Sequence, residues 1–116
     1  MKIRLGKRVI ASVEYSSNPV RIGHGLRFSK LLKKGTGLLM TIPRESRYWA
    51  MIDMFFVFFP IDVVWMDKEK RIVDIRRNVK PWRLAMPKMK AMHVLELNAG
   101  AAVNLKIGDI LTFSIK

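Results

Sequence analysis

The chain has 116 residues, 22 Lys+Arg against 9 Asp+Glu, a formal net charge of +13 and no cysteine. That length bounds the molecule to one domain, residues 1–116, and hydrophobic residues at 50% exclude a disordered chain. The missing cysteine excludes disulfides, thiolate metal centres and cysteine nucleophiles, while the cationic excess speaks of anionic partners rather than of a fold.

The N-terminal stretch MKIRLGKRVIASVEY is positively charged, but Arg4, Lys7 and Arg8 interrupt it before a signal-type apolar region can form. A cytoplasmic location is the expectation. Lys2–Leu5 is predicted as a short strand and Gly6-Lys7 as a turn. In Arg8–Tyr15 the residues Val9, Ala11, Val13 and Tyr15 alternate as one face of a second strand. Ser17 or Asn18 before Pro19 reads as a helix N-cap with proline in the first turn. Gly23 and Gly25 keep that helix brief. Thr36–Ile42 is predicted as a strand that stops at Pro43.

Trp49–Met66, WAMIDMFFVFFPIDVVWM, contains no Lys or Arg and approaches the length of a membrane span. Asp53, Asp62 and Pro60 lie inside it, and Phe, Val, Ile and Trp favour strands. The expectation is therefore no membrane span but two buried strands, Arg47–Phe59 and Ile61–Met66, meeting at Pro60. Phe55, Val57 and Phe59 would face one side and Phe56 and Phe58 the other. Asp67–Lys70 is a charged turn and Arg71–Val79 its partner strand. Lys80–Lys90 reads as a loop containing Pro81 and Pro87. Ala91–Leu97 is a strand, Asn98–Leu105 one or two helical turns, and Ile110–Ile115 a last strand. The predicted fold is mainly β: a small antiparallel barrel or sandwich of about seven or eight short strands with one or two short helices.

Several segments in this order resemble a known family. GLRFS (Gly25–Ser29), FPIDVVWMD (Phe59–Asp67), RIVDI (Arg71–Ile75), PWRL (Pro81–Leu84) and VLELNAGAAVNLKIGDIL (Val94–Leu111) are similar to the motifs of the "domain of unknown function 192" family. The resemblance implies a mainly β domain with a short helix, and it implies no reaction. The chain departs from the pattern in two places. Related sequences often have His-Thr-Phe-Gly-Met-Arg where this one has Asp53–Phe58, and Ser29 stands where the family usually has Arg.

Two sets of residues carry chemistry. Asp62, after Pro60-Ile61, reads either as a fastener of the backbone or as an acid in a pocket. The segment Arg76–Lys90, RRNVKPWRLAMPKMK, brings Arg76, Arg77, Lys80, Arg83, Lys88 and Lys90 around Trp82 without an acid. Cations around an aromatic suit phosphate tracking with a stacking ring, and Arg83 suits a small anion. Lys30, Lys33 and Lys34, with Arg27, form a second basic cluster. The ligand-site candidates are thus Asp62, Trp82, Arg83, Arg76 and Arg77. The nucleic-acid candidates are Lys30, Lys33, Lys34, Lys80, Lys88 and Lys90. His24 and His93 lack ligand-like spacing, and Lys88 and Lys90 would repel a metal from Met86, Met89 and Met92, so no metal and no cofactor is expected. The sequence points to a non-catalytic binding module for an anionic small molecule or nucleic acid. The alternatives are an enzyme joining Asp62, Arg83 and a histidine in one cleft, and a structural or protein-interaction domain.

Overall fold

The computed structural model describes residues 1–17, 33–55 and 57–114. Eight strands run in chain order: β1 (Lys2–Leu5), β2 (Arg8–Ser16), β3 (Thr36–Ser46), β4 (Ile52–Asp53), β5 (Ile61–Met66), β6 (Ile72–Val79), β7 (Leu84–Ala85) and β8 (Ala91–Asn98). Six of them form one sheet in the order β1-β2-β3-β8-β5-β6, and β4 pairs with β7 in a second, two-stranded sheet. The expected helix after Ser17 falls on residues 18–32, outside the described residues, as do Arg27, Lys30 and His24. No helix among the described residues is long and apolar enough to cross a membrane.

The sheet is mixed rather than antiparallel throughout. β2 and β3 are parallel, with Ser12 opposite Thr36 and Ser16 opposite Met40. Parallel neighbours need a long crossover, and residues 17–35 supply it. β3 also runs past Pro43 to Ser46, because a register irregularity between Thr41 and Ser46 removes the need for a donor at the proline.

β5 lies between β8 and β6 and is buried along its whole length. Alternation sends Ile61, Val63 and Trp65 to one core, with Leu38, Met40, Ile42 and Val94. Val64 and Met66 go to the other core, with Leu39, Leu95, Leu97, Leu105 and Phe113. A strand covered on both faces reads as a continuous apolar run, which explains IDVVWM. The Trp65 indole N–H donates to the Ala50 carbonyl at 2.7 Å, so its polar atom is satisfied inside the core.

Three expectations are corrected. Of the expected strand Arg47–Phe59, only Ile52–Asp53 is a strand among the described residues. Phe55 N–H is held by Asp53 Oδ1, and Val57 N–H turns back to the Met54 carbonyl. The bend sends Met54 and Val57 into the core, three residues apart, and leaves Phe55 and Phe58 outside. Asn98–Leu105 is not helical but a run of turns, with Ala101, Val103 and Leu105 each donating three residues back. The described part of Ile110–Ile115, residues 110–114, forms no strand either; Ile110 bridges Arg71 and Thr112 bridges Arg4. Those single bridges touch both edges of the large sheet, and among the described residues no strand ladder closes it into a barrel.

Candidate anion-binding groove

Asp62 is 1% exposed, and both of its carboxylate oxygens accept backbone N–H groups. Oδ1 takes Asn78 N–H at 2.9 Å, and Oδ2 takes Gly100 N–H at 3.0 Å and Ala102 N–H at 2.9 Å. One carboxylate thereby fixes the end of β6 and the turns after β8. Asn78 is left-handed at φ 55°, a conformation that asparagine tolerates better than most residues.

Arg77 holds the same turns from their carbonyl side. Its Nη2 donates to Leu105 at 2.7 Å and to Ala102 at 3.1 Å. Arg76 points elsewhere and reaches the Met86 carbonyl at 3.4 Å. The two arginines, expected as one pair, therefore do different things.

Above this anchored backbone lies an open groove of about 330 Å³ lined by Arg76, Arg77, Asn78, Val79, Lys80, Arg83 and Leu84. Four of the expected cations are brought together there, and no acid lines the groove. Asp62 is not in it; it shapes the wall from behind through Asn78.

Trp82 stands beside the groove rather than in its lining. Its backbone is left-handed at φ 65°, which costs a bulky residue about 1–3 kcal/mol. Two backbone bonds hold it there: Trp82 N–H to the Met54 carbonyl at 2.9 Å, and Met54 N–H to the Arg83 carbonyl at 2.7 Å. The indole meets Phe55 at 6.0 Å and Phe58 at 6.3 Å between ring centroids, tilted and edge-on.

The lysines divide. Lys33 and Lys34 precede β3, whose Gly37 faces Leu97, which in turn faces Asp62. Lys80 follows Val79, the partner of Ile61. Both groups therefore lie at one end of the sheet, three strand spacings or roughly 14 Å apart. Lys90 pairs with Glu45 at 3.7 Å, and Lys88 uses its backbone N–H to bond Asp74 at 2.9 Å.

His93 is far from Asp62. It faces Met66, while Asp62 faces Leu97, four residues along the same strand pair, or roughly 14 Å. His93 Nδ1 shares a 2.8 Å hydrogen bond with Thr41 Oγ1, and its ring meets Phe113 edge-on at 5.3 Å. Burial lowers its pKa below the usual 6.5, the Lys70 ammonium lowers it further, and Asp67 opposes them. Lys70 also lies over the Phe113 ring, 4.5 Å from its centroid. Glu45, Asp67 and Glu69 bring carboxylate oxygens within 4.8 Å of one another. That corner is already engaged: Glu45 accepts Lys68 N–H, and Asp67 Oδ1 accepts those of Glu69 and Arg71.

Two features escaped the sequence reading. Asp74 is a second buried carboxylate, bonded to Ile75 N–H and Lys88 N–H at 2.9 Å each. Its signal was an acid set in the apolar alternation of RIVDI. The exposed Phe55–Phe58–Trp82 cluster was hidden by an apparent strand pattern; Asp53, placed to bend the chain two residues on, was the available cue.

A family model described as Uncharacterized ACR, the domain of unknown function 192, matches residues 1–113. The UPF0127 protein TK1120 of Thermococcus kodakarensis is 37% identical over 79 residues, 66% of this chain and 50% of that protein. The UPF0127 protein PYRAB11210 of Pyrococcus abyssi is 35% identical over 95 residues, 82% of this chain and 78% of that one. The UPF0127 protein PF1050 of Pyrococcus furiosus is 28% identical over 116 residues, covering 98% and 97%. The chain spans about half the length of the three Thermococcus relatives it matches, 50%, 52% and 52% of their length. Among solved structures, a Sinorhizobium meliloti protein described as a candidate transcription regulator superposes with a TM-score of 0.85 at 24% identity, over 96% of this chain and 91% of that one. A protein of unknown function from Novosphingobium aromaticivorans gives 0.77 at 21% identity, over 87% and 74%. At such identities these two structures show the fold alone.

Proposed function

We propose a role for this chain, which belongs to the uncharacterised domain of unknown function 192 family: a non-catalytic module that receives an anionic ligand in the groove between the end of β6 and the β7 arm. The observation that carries the reading is the groove's lining, with Arg76, Arg77, Lys80 and Arg83 and no acid. A concave wall of one sign concentrates field and counter-ion. Arg76 and Arg83 offer planar forks for phosphate or carboxylate oxygens, and Lys80 a point charge. Arg77, committed to the Ala102 and Leu105 carbonyls, supplies charge and holds the floor in place. Asp62 contributes from behind, by fixing Asn78. Lys33 and Lys34, at the same end of the sheet, extend the positive field.

Two measurements test the reading together. Inorganic pyrophosphate and a random-sequence single-stranded RNA are titrated against the wild type and an Arg76→Gln/Lys80→Gln/Arg83→Gln variant over a range of salt. The variant is expected to lose pyrophosphate binding, and its log–log salt slope for RNA to fall by about 2, as three phosphate contacts require. Lys68→Gln, in the turn at the other end of the β5–β6 hairpin, is expected to change neither. Equal effects of the triple variant and of Lys68→Gln would overturn the groove reading.

A further inference from the structure

Next to the cationic groove lies an apolar surface. Phe55, Phe58, Trp82 and Leu84 are 41%, 60%, 51% and 58% exposed. The three rings form one cluster, and Leu84, two residues after Trp82 in the chain, lines the groove beside Arg83. The fold holds these side chains outward: the bend that buries Met54 and Val57 exposes Phe55 and Phe58, and two backbone bonds clamp Trp82 in its left-handed conformation.

Phe55 and Phe58 come from Trp49–Met66, which contains no Lys or Arg, and Trp82 and Leu84 from Arg76–Lys90, which contains six cations and no acid. No aromatic ring lines the groove among the described residues. A surface for single-stranded nucleic acid interleaves its rings with the cations, so that bases stack where phosphates are held. Phe55, Phe58 and Leu84 also carry no polar atom with which to read a base. Aromatic and aliphatic side chains beside a basic patch instead match the boundary between headgroups and acyl chains, where Trp and Phe insert while Lys and Arg meet lipid phosphates.

We propose that this face docks on an anionic lipid bilayer, with Phe55, Phe58 and Trp82 at the headgroup boundary and Arg76, Lys80 and Arg83 on the lipid phosphates. The proposal rests on the anion-groove reading and names the partner of that groove.

The test is sedimentation with extruded vesicles of phosphatidylcholine alone and of phosphatidylcholine mixed with phosphatidylglycerol, run beside the pyrophosphate titration. The full chain is expected to bind only the phosphatidylglycerol vesicles, and more weakly as salt rises. Phe55→Ser/Phe58→Ser is expected to weaken vesicle binding about tenfold or more and leave pyrophosphate affinity unchanged. Arg76→Gln/Arg83→Gln is expected to weaken both. Both variants alter exposed side chains, and their unfolding midpoints check that they fold. Pyrophosphate binding without vesicle binding would overturn the bilayer proposal and leave the groove standing. Loss of both would overturn both. Vesicle binding indifferent to Phe55→Ser/Phe58→Ser would overturn the docking mode. RNA binding that Phe58→Ser weakens, with vesicles ignored, would reassign the face to nucleic acid.

Discussion

Ala102 gives its amide N–H to Asp62 at 2.9 Å and accepts the guanidinium of Arg77 on its carbonyl at 3.1 Å, so one acid and one base satisfy both polar groups of a fully buried residue. Residues 99–105 form no helix or strand, and a buried backbone group left unpaired is costly. Asp62→Ala would orphan three N–H groups. The expected loss of stability is roughly 3–5 kcal/mol, read by urea unfolding. Arg77→Ala should cost less, about 1–3 kcal/mol, since it removes partners from two carbonyls and that of Ala102 still accepts the Leu105 N–H. The double variant should cost less than the two singles together, because both hold the same turn.

Gly37 is required for space rather than for its dihedral angle. A Cβ there would lie 2.6 Å from the Glu96 carbonyl oxygen and 2.8 Å from Leu97 Cδ2. Gly37→Ala must push β3 away from β8, for an expected loss of about 1–3 kcal/mol. Gly35 is the opposite case, at φ +82° with nothing within 4 Å, so Gly35→Ala should cost only about 1–2 kcal/mol of backbone strain. Thermal unfolding of the pair separates the two causes.

The bend before β5 predicts a split between neighbouring residues. Met54 is fully buried and Phe58 is 60% exposed. Met54→Ala should cost about 2–5 kcal/mol, whereas Phe58→Ser should stay within about 0.5 kcal/mol of the wild type. Equal losses would mean that residues 54–59 pack as a strand after all.

His93 sets a pH dependence whose sign is fixed by its burial. Its folded pKa lies below 6.5, so in the window between the two values the unfolded chain binds more protons. This contribution is fully present above about pH 6.5 and is lost as pH falls through that value toward the folded pKa. Unfolding free energy should therefore rise with pH across that window in the wild type. In His93→Gln the slope there should flatten.

Much of this was legible in the sequence, because periodicity reports burial directly. IDVVWM, RVIASVEYS and AMHVLELN became β5, β2 and β8 close to where alternation or an unbroken apolar run placed them. The meeting of Arg76, Lys80 and Arg83 was legible too, since they are near neighbours in the chain. Other features depend on contacts that no local pattern encodes. The sequence before Pro60 alternates like a strand, but Phe55 N–H bonds Asp53 and the Met54 backbone bonds Trp82 and Arg83 instead. Residues 98–105 look helical but are held as turns by Asp62 and Arg77 from β5 and β6. The parallel pairing of β2 with β3 was not legible, because a connection of that length suits either direction of return.

The central claim is that an anion seats in the groove of Arg76, Lys80 and Arg83, and not diffusely on a protein of net charge +13. The most direct test is an amide-resolved NMR titration with inorganic pyrophosphate at moderate salt. The account predicts saturable shifts concentrated at residues 76–84 and abolished in Arg76→Gln/Arg83→Gln. Shifts spread evenly over exposed cations such as Lys68 and Lys106, or shifts at 76–84 that survive the double variant, would contradict it.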